Sequence, residues 1–189
     1  MAFQKWTDLL VASTVVGPTL ASSASATTLL PTNALKTFPA DFWEIGRALE
    51  IDVLGSLGTL VTTPGTMTFA LKLGSVVAFT TGALQLNATA HTTKPFWLKV
   101  FLTCRAVGSG TSANLMGQAI AFGAMFTATA GQADGANSQT ILMAPATAPA
   151  VGTGFDSTAA QQLDLHGTFS IADAANTCAV HQYLVKLLN

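Results

Sequence analysis

Charged side chains are scarce in this chain of 189 residues. Lys, Arg, Asp and Glu together make up 9% of it, against roughly 25% in ordinary soluble domains. The eight basic and nine acidic residues are scattered and give a formal net charge of -1, so the sequence lacks the positive field that nucleic-acid binding requires. With so few charges, we expect part of the surface to be covered by a membrane or by other protein chains.

Long hydrophobic runs are also missing. Three intervals without a charged residue are long enough to compare with a membrane span, namely residues 9–35, 106–133 and 135–155. Each is interrupted by Gly, Pro, Ser or Thr, whereas a spanning helix needs about 20 mainly apolar residues in succession. The sequence therefore favours burial in a protein assembly over burial in a membrane.

The N-terminus has some, but not all, of the features of a secretion signal. Lys5 precedes an apolar stretch, and residues 24–26 have the small-x-small form of a cleavage site. Asp8 and Pro18 interrupt the stretch that such a signal keeps apolar. We therefore expect synthesis in a host cytoplasm without a cleaved signal.

Only two cysteines are present, Cys104 and Cys178, and neither has the spacing of a metal ligand. Both fall inside predicted strands. A disulfide between them requires neighbouring strands, and two buried thiols are the simpler interpretation. So few cysteines agree with a reducing compartment.

Motifs that carry chemistry are absent as well. The sequence has no G-x-S-x-G, no Gly-rich phosphate loop, and no HxH, HxxxH or CxxC spacing. Its histidines are His91, His166 and His181; the last two fall on successive predicted strands, which allows a cross-strand contact, but a zinc site needs further ligands. We therefore interpret the histidines as structural.

Glu50 and Asp52 form a possible carboxylate pair, because they point the same way from one predicted strand. Glycoside hydrolysis needs two carboxyl groups that face each other across a cleft, and nothing in the sequence predicts a cleft. Arg47 and nearby lysines favour a solvated face instead. We expect no enzyme activity, no cofactor, and no catalytic, cofactor-binding or metal-binding residue.

What the sequence does contain is alternation with a period of two, the pattern of β-strands. The longest example covers residues 94–107. One predicted face is apolar, and the other mixes Trp97 and Phe101 with Lys99, Thr103 and Arg105. A Gly-rich turn at residues 108–112 and a returning run at residues 113–129 complete a hairpin. A hairpin so apolar needs a second sheet to cover it.

Shorter strands are predicted along the rest of the chain, at residues 47–54, 66–73, 76–80, 82–87, 161–171 and 177–188. Residues 55–65 read as a loop or bulged hairpin, and the aromatic run of residues 38–43 as core packing at one end. Residues 131–154 read as the most exposed loop, in which only residues 140–143 are strand-like. The prediction is an all-β antiparallel β-sandwich of roughly 8–10 strands with jelly-roll topology. Residues 1–28 are an N-terminal arm or edge strand, and residues 29–189 are the sandwich domain.

Several segments resemble small virion proteins of tailed bacteriophages. They are Leu30-Pro31, Phe38-Pro39-Ala40-Asp41-Phe42-Trp43-Glu44-Ile45-Gly46-Arg47-Ala48-Leu49, Thr63-Pro64-Gly65-Thr66-Met67-Thr68, Leu102-Thr103-Cys104-Arg105-Ala106-Val107-Gly108 and Asn176-Thr177-Cys178-Ala179-Val180-His181-Gln182-Tyr183. The resemblance implies a jelly-roll structural protein, acting as a trimer on the capsid surface or in the tail. These segments are strand and turn signatures, so no functional residue is carried over.

The composition and the resemblance lead to one functional hypothesis. The chain is expected to be a non-enzymatic capsid decoration (cement) protein of a virion, with partners that are its own copies in a homotrimer and the major capsid protein or tail proteins. Nucleic acid and membrane are not expected partners. The alternatives are a baseplate or tail-tip structural protein, and a host-surface-binding module that acts through the loop of residues 131–154.

Overall fold

The computed structural model describes residues 7–60, 62–127 and 140–188. Apart from one 3-10 turn at Thr32–Ala34, the regular elements in this part of the chain are strands. They are β1 (Thr7–Ala12), β2 (Leu20–Ala21), β3 (Thr27–Thr28), β4 (Lys36–Phe38), β5 (Ala48–Thr59), β6 (Thr66–Leu73), β7 (Val76–Gln85), β8 (His91–Ala106), β9 (Asn114–Gly123), β10 (Thr140–Ala144), β11 (Gln161–Phe169) and β12 (Thr177–Leu188). The predicted all-β class is confirmed.

The strands form two antiparallel sheets that make a sandwich, as the sequence predicts. The larger sheet has the order β1-β12-β5-β8-β9-β10, with β2 also paired to β12. The smaller has the order β3-β11-β6-β7, with β4 also paired to β11. The jelly-roll connectivity stays a prediction. Within the described ranges no helix is long and apolar enough to span a membrane.

The core lies between the sheets and is filled by the alternating side chains of the strands. In β6 the buried positions are Met67, Phe69, Leu71 and Leu73, as their period of two predicts. In β8 the buried face is the predicted apolar one, from Phe96 to Cys104. Each large side chain buried in this way contributes about 1.5–3 kcal/mol to the folded state.

The aromatic run of residues 38–43 packs into the core. The rings of Phe38 and Phe42 stack with centroids 4.2 Å apart. Trp43 meets Phe38 and Phe155 edge to face at 5.6 and 5.9 Å. Phe38, Trp43 and Phe155 are all buried and Phe42 is partly buried, so this group closes one end of the sandwich.

The predicted loop at residues 55–65 is wrong over its first half, because β5 continues to Thr59. Gly55 suggested a turn, but in the structure it is the position where groups of the two neighbouring strands approach the backbone of β5 closely. A Cβ atom on Gly55 would clash with the carbonyl oxygen of Ala179 and with the Phe96 ring. Glycine inside a strand often marks a site where another group approaches the backbone closely.

The two short strands predicted at residues 76–80 and 82–87 are one strand, β7. The break between them corresponds to Gly82, which has a φ of +66° and lies beside an irregularity in the β6–β7 register. A bulge lets a strand continue past such a residue. The returning strand of the central hairpin, β9, ends at Gly123, earlier than the predicted residue 129.

The described part of the N-terminal segment runs along the sandwich. β1 and β2 pair with β12, and β3 pairs with β11. Residues 128–139, which include the first part of the predicted exposed loop, lie outside the described ranges. β10 follows them and is the last strand in the order of the larger sheet. The predicted strand at residues 177–188 is β12 and lies inside that sheet, between β1 and β5.

Candidate functional site

An apolar patch covers the outward face of the larger sheet, where β5, β8, β9 and β10 lie side by side. Leu54 is opposite Trp97, Trp97 is opposite Phe122, and Phe122 is opposite Ile141, so these four side chains form one row across the strands. Ile120 and Met143 face each other in the next row. The Trp97 patch is defined as Leu54, Trp97, Phe101, Ile120, Phe122, Ile141 and Met143.

Most of the Trp97 patch is open to solvent. Exposure is 37% for Leu54, 43% for Trp97, 41% for Phe101, 36% for Ile120, 65% for Ile141 and 49% for Met143. At roughly 150–250 Å² for a whole large side chain, these six present about 500 Å² of apolar surface. This equals the largest apolar patch of a typical monomer, which is about 300–600 Å² and often functional.

Two hollows lie in the Trp97 patch, with Trp97 and Phe122 lining both. The first has a volume of about 220 Å³ and is completed by Lys99, Ile120 and Ile141. The second has a volume of about 420 Å³ and is lined by Leu54, Lys94, Pro95, Phe96, Trp97, Phe122 and Ala124. A partner can therefore insert side chains on either side of the indole ring.

Trp97 is held in place by charged neighbours. Its Nε1 donates a hydrogen bond to Oδ1 of Asp52 at 3.1 Å. Nζ of Lys99 lies 5.9 Å from the Trp97 ring centroid and 5.3 Å from that of Phe101, within reach of a cation–π attraction. A ring fixed before binding loses little conformational entropy when a partner packs on it.

Glu50 and Asp52 belong to a compact ion cluster beside the patch. Lys186 Nζ lies 2.9 Å from Glu50 Oε1 and 2.9 Å from Asp52 Oδ2. Lys99 Nζ lies 3.0 Å from Glu50 Oε1. The carboxylate side chains are only 15% and 9% exposed, so the solvated face expected from the sequence is wrong. Lysines on the neighbouring strands cover these carboxylates, and each carboxylate already accepts a hydrogen bond from the ammonium group of Lys186.

The lysines change the proton affinity of the cluster. The hydrogen bond from Lys186 lowers the pKa of Glu50, although burial opposes the change. Burial raises the pKa of Asp52, but hydrogen bonds from Lys186 and Trp97 outweigh it and the net pKa is lowered. In return, hydrogen bonds to Glu50 and Asp52 raise the pKa of Lys186.

These shifts predict that Lys186→Met moves acid unfolding to higher pH. A carboxyl group whose pKa is lowered in the folded protein stabilises the fold at pH values above its ordinary pKa, which is 4.5 for Glu50 and 3.8 for Asp52. This stability is lost as the pH falls through the lowered pKa values. Without Lys186 the loss begins at higher pH. Tryptophan fluorescence during acid titration measures the midpoint. Lys72→Met, on the smaller sheet, is the control, and equal midpoints for the two variants would contradict the prediction.

The histidines lie apart from one another. His166 is in β11 of the smaller sheet and His181 is in β12 of the larger sheet, so a cross-strand contact between them is wrong. The short turn that joins these strands crosses from one sheet to the other. Among the described residues no three His, Cys, Asp or Glu side chains are grouped so that they could hold a metal ion.

The cysteines are separate, buried thiols. Cys104 is in β8 and Cys178 is in β12, and β5 lies between these two strands. Cys178 pairs with Leu57 near one end of β5, whereas Thr103, next to Cys104, pairs with Ala48 at the other end. The condition for a disulfide within the chain is therefore not met. Burial raises the pKa of both thiols, which makes them poor nucleophiles.

Two groups of polar side chains resemble parts of known catalytic sites. Ser56 Oγ lies 2.8 Å from His181 Nε2, but no carboxylate in the described ranges hydrogen-bonds to that histidine as the third member of a triad. Thr28 Oγ1 donates to Asp164 Oδ1 at 2.6 Å, and His166 Nε2 lies 3.0 Å from Asp164 Oδ2. The second group ties β3 to β11 and has a structural role.

The Trp97 patch was only partly foreseen from the sequence. The mixed face of β8 carries Trp97, Lys99 and Phe101 as predicted. β9 and β10 were not expected to extend the patch. The available signal was the unbroken apolar sequence Ile141-Leu142-Met143, since strands with apolar residues on both faces are covered on both sides.

No protein-family model matches the chain, and neither does any curated protein. Among solved structures, the chain is similar to the CBM2 module of the evolved Dit of Lactobacillus casei BL23 phage J-1. The sequence identity is 8%, the TM-score is 0.35, and 98% of each chain is covered. A likeness of this size assigns no role to any residue.

Proposed function

We propose that this chain is a non-enzymatic structural protein of a tailed-phage virion, and that it decorates the capsid as a homotrimer. The observation that carries the proposal is the Trp97 patch: a fixed, exposed apolar surface with hollows that suit side chains of another protein. Interfaces of this kind have an aromatic centre and few unpaired charges. The sequence resemblance implies a trimer on the capsid surface or in the tail, and the choice of the capsid belongs to the proposal.

Other classes of function fit the patch less well. A glycan site needs polar groups around its aromatic platform to bind hydroxyls, whereas Ile120, Phe122 and Ile141 line the hollow beside Trp97 here. The nearby charged groups of Glu50, Asp52, Lys99 and Lys186 already bind one another. Nucleic acid would require unpaired basic side chains in the groove. A protein partner with an apolar surface is the best match.

Two measurements test this proposal. Light scattering of the purified protein should give a mass three times that of the 19.4-kDa chain. Immunogold electron microscopy of virions that carry the protein should place the label over the capsid shell. Label at the baseplate or tail tip would instead favour a tail structural protein or a host-surface-binding module. Adding the purified protein to host cells would then test host binding. Virions without label would contradict a virion role.

A further inference from the structure

We infer that the Trp97 patch of one copy receives Val15 and Val16 of a second copy, so that neighbouring subunits join head to tail. This inference rests on the proposed self-assembly and names the segment that makes the contact. Val15 and Val16 are 53% and 52% exposed. They lie beside β12 on its β1 side, whereas the patch extends from β5 across to β10 at the other end of the larger sheet.

The valine pair projects from an anchored segment. Ser13 N donates to the carbonyl oxygen of Tyr183 at 2.9 Å, and Gly17 N donates to that of Val180 at 2.8 Å. Ser13 Oγ also accepts from Tyr183 N at 2.8 Å. The three residues between Ser13 and Gly17 are therefore held beside β12 from both ends. A presented, preordered pair of apolar side chains is suited to insertion in a hollow.

Charge supports the valine pair as the occupant. Four of the charged groups beside the patch, Glu50, Asp52, Lys99 and Lys186, neutralise one another, and Lys94 stands at the rim of the second hollow, exposed to solvent. A partner that placed an unpaired charge over the apolar rows would therefore lose hydration without gaining an ion pair there. Residues 9–35 contain no charged residue. By contrast, the exposed Ile45 stands between Glu44 and Arg47, which form an ion pair at 3.1 Å.

The area of the patch also fits a subunit contact. A standard interface buries about 800 Å² on each partner, of which somewhat more than half is apolar. The roughly 500 Å² of exposed apolar surface on the patch is close to that apolar share. Because the patch and the valine pair are different surfaces of one chain, the contact is heterologous, the type that closes rings such as trimers.

The test compares charged substitutions in three places. Ile141→Asp damages the patch, Val16→Asp damages the valine pair, and Ile45→Asp is the matched control at an isoleucine that is 71% exposed, against 65% for Ile141. Light scattering over a concentration series should show dissociation for the first two, with the apparent dissociation constant raised about 100-fold. The control should keep the wild-type mass. Circular dichroism checks folding, and Met143→Asp replaces Ile141→Asp if that variant unfolds.

Mixing provides the decisive measurement. A patch variant still has its valine pair, and a valine variant still has its patch, so an equal mixture of the two should form a complex of two chains and nothing larger. A mixture that stays monomeric would overturn the head-to-tail contact. Dissociation by Ile141→Asp but not by Val16→Asp would overturn the valine pair as occupant while leaving the proposed assembly through the patch. A wild-type monomer at all concentrations would overturn both.

Discussion

Replacement of Gly152 by alanine is expected to lower the free energy of unfolding by about 3 kcal/mol, because the added methyl group meets backbone that cannot move away. The Cβ atom would overlap the carbonyl oxygen of Ala78 in β7. Gly152 N also donates to the carbonyl oxygen of Leu115 in β9 at 2.8 Å. Relieving the clash therefore breaks the contact between this segment and both strands.

Urea unfolding measured by circular dichroism checks this expectation. Gly110→Ala is the control, since no heavy atom lies within 4 Å of its Cβ position and only its φ of +67° opposes the change. The control should cost about 1 kcal/mol, the cost of a left-handed backbone at an ordinary residue. Equal losses for the two variants would show that the segment can shift and that the close approach is unimportant.

Asn176→Ala is expected to cost roughly 3–5 kcal/mol, since it leaves three backbone groups, one buried and two partly buried, without their hydrogen-bond partner. Asn176 is fully buried. Its Oδ1 accepts from Leu60 N at 2.9 Å, and its Nδ2 donates to the carbonyl oxygens of Pro64 and Ile171, each at 3.1 Å. One side chain thus joins the segment that follows β5 to the turn between β11 and β12.

Thermal unfolding is the simplest measurement for Asn176→Ala, and the midpoint should fall by about 10 °C in a domain of this size. Asn33→Ala is the matched control. Asn33 is exposed and makes one side-chain hydrogen bond, to Thr14 Oγ1 at 2.9 Å, so its removal should change the midpoint by less than about 2 °C. A small effect at Asn176 would mean that water replaces the lost amide.

The sandwich was predictable because apolar and polar residues alternate along most of the length of its strands. In β6 and β12 the predicted bounds, residues 66–73 and 177–188, are those of the structure. Each of these strands has one face in the core, and a shift by one residue would turn its apolar set outward. The pattern therefore fixes both the strand and its orientation.

Predictions failed where a residue's role depends on distant parts of the chain. Gly55 reads locally as a turn, and only the approach of Ala179 and Phe96 explains it. Glu50 and Asp52 read as solvated because Lys186, which covers them, follows more than 130 positions later. For the same reason the row from Leu54 to Ile141 was not predictable, since it combines four strands in an order set by tertiary pairing.

The position of β12 between β1 and β5 has a consequence for synthesis on the ribosome. β5 is complete at residue 59, but the strand that pairs with one of its edges begins at residue 177. At about 5–20 residues per second, the intervening chain takes on the order of ten seconds to appear. During that time the nascent chain holds an open strand edge that can pair wrongly. The larger sheet is completed in one late step, so the yield of native protein depends on what shields β5 until β12 arrives.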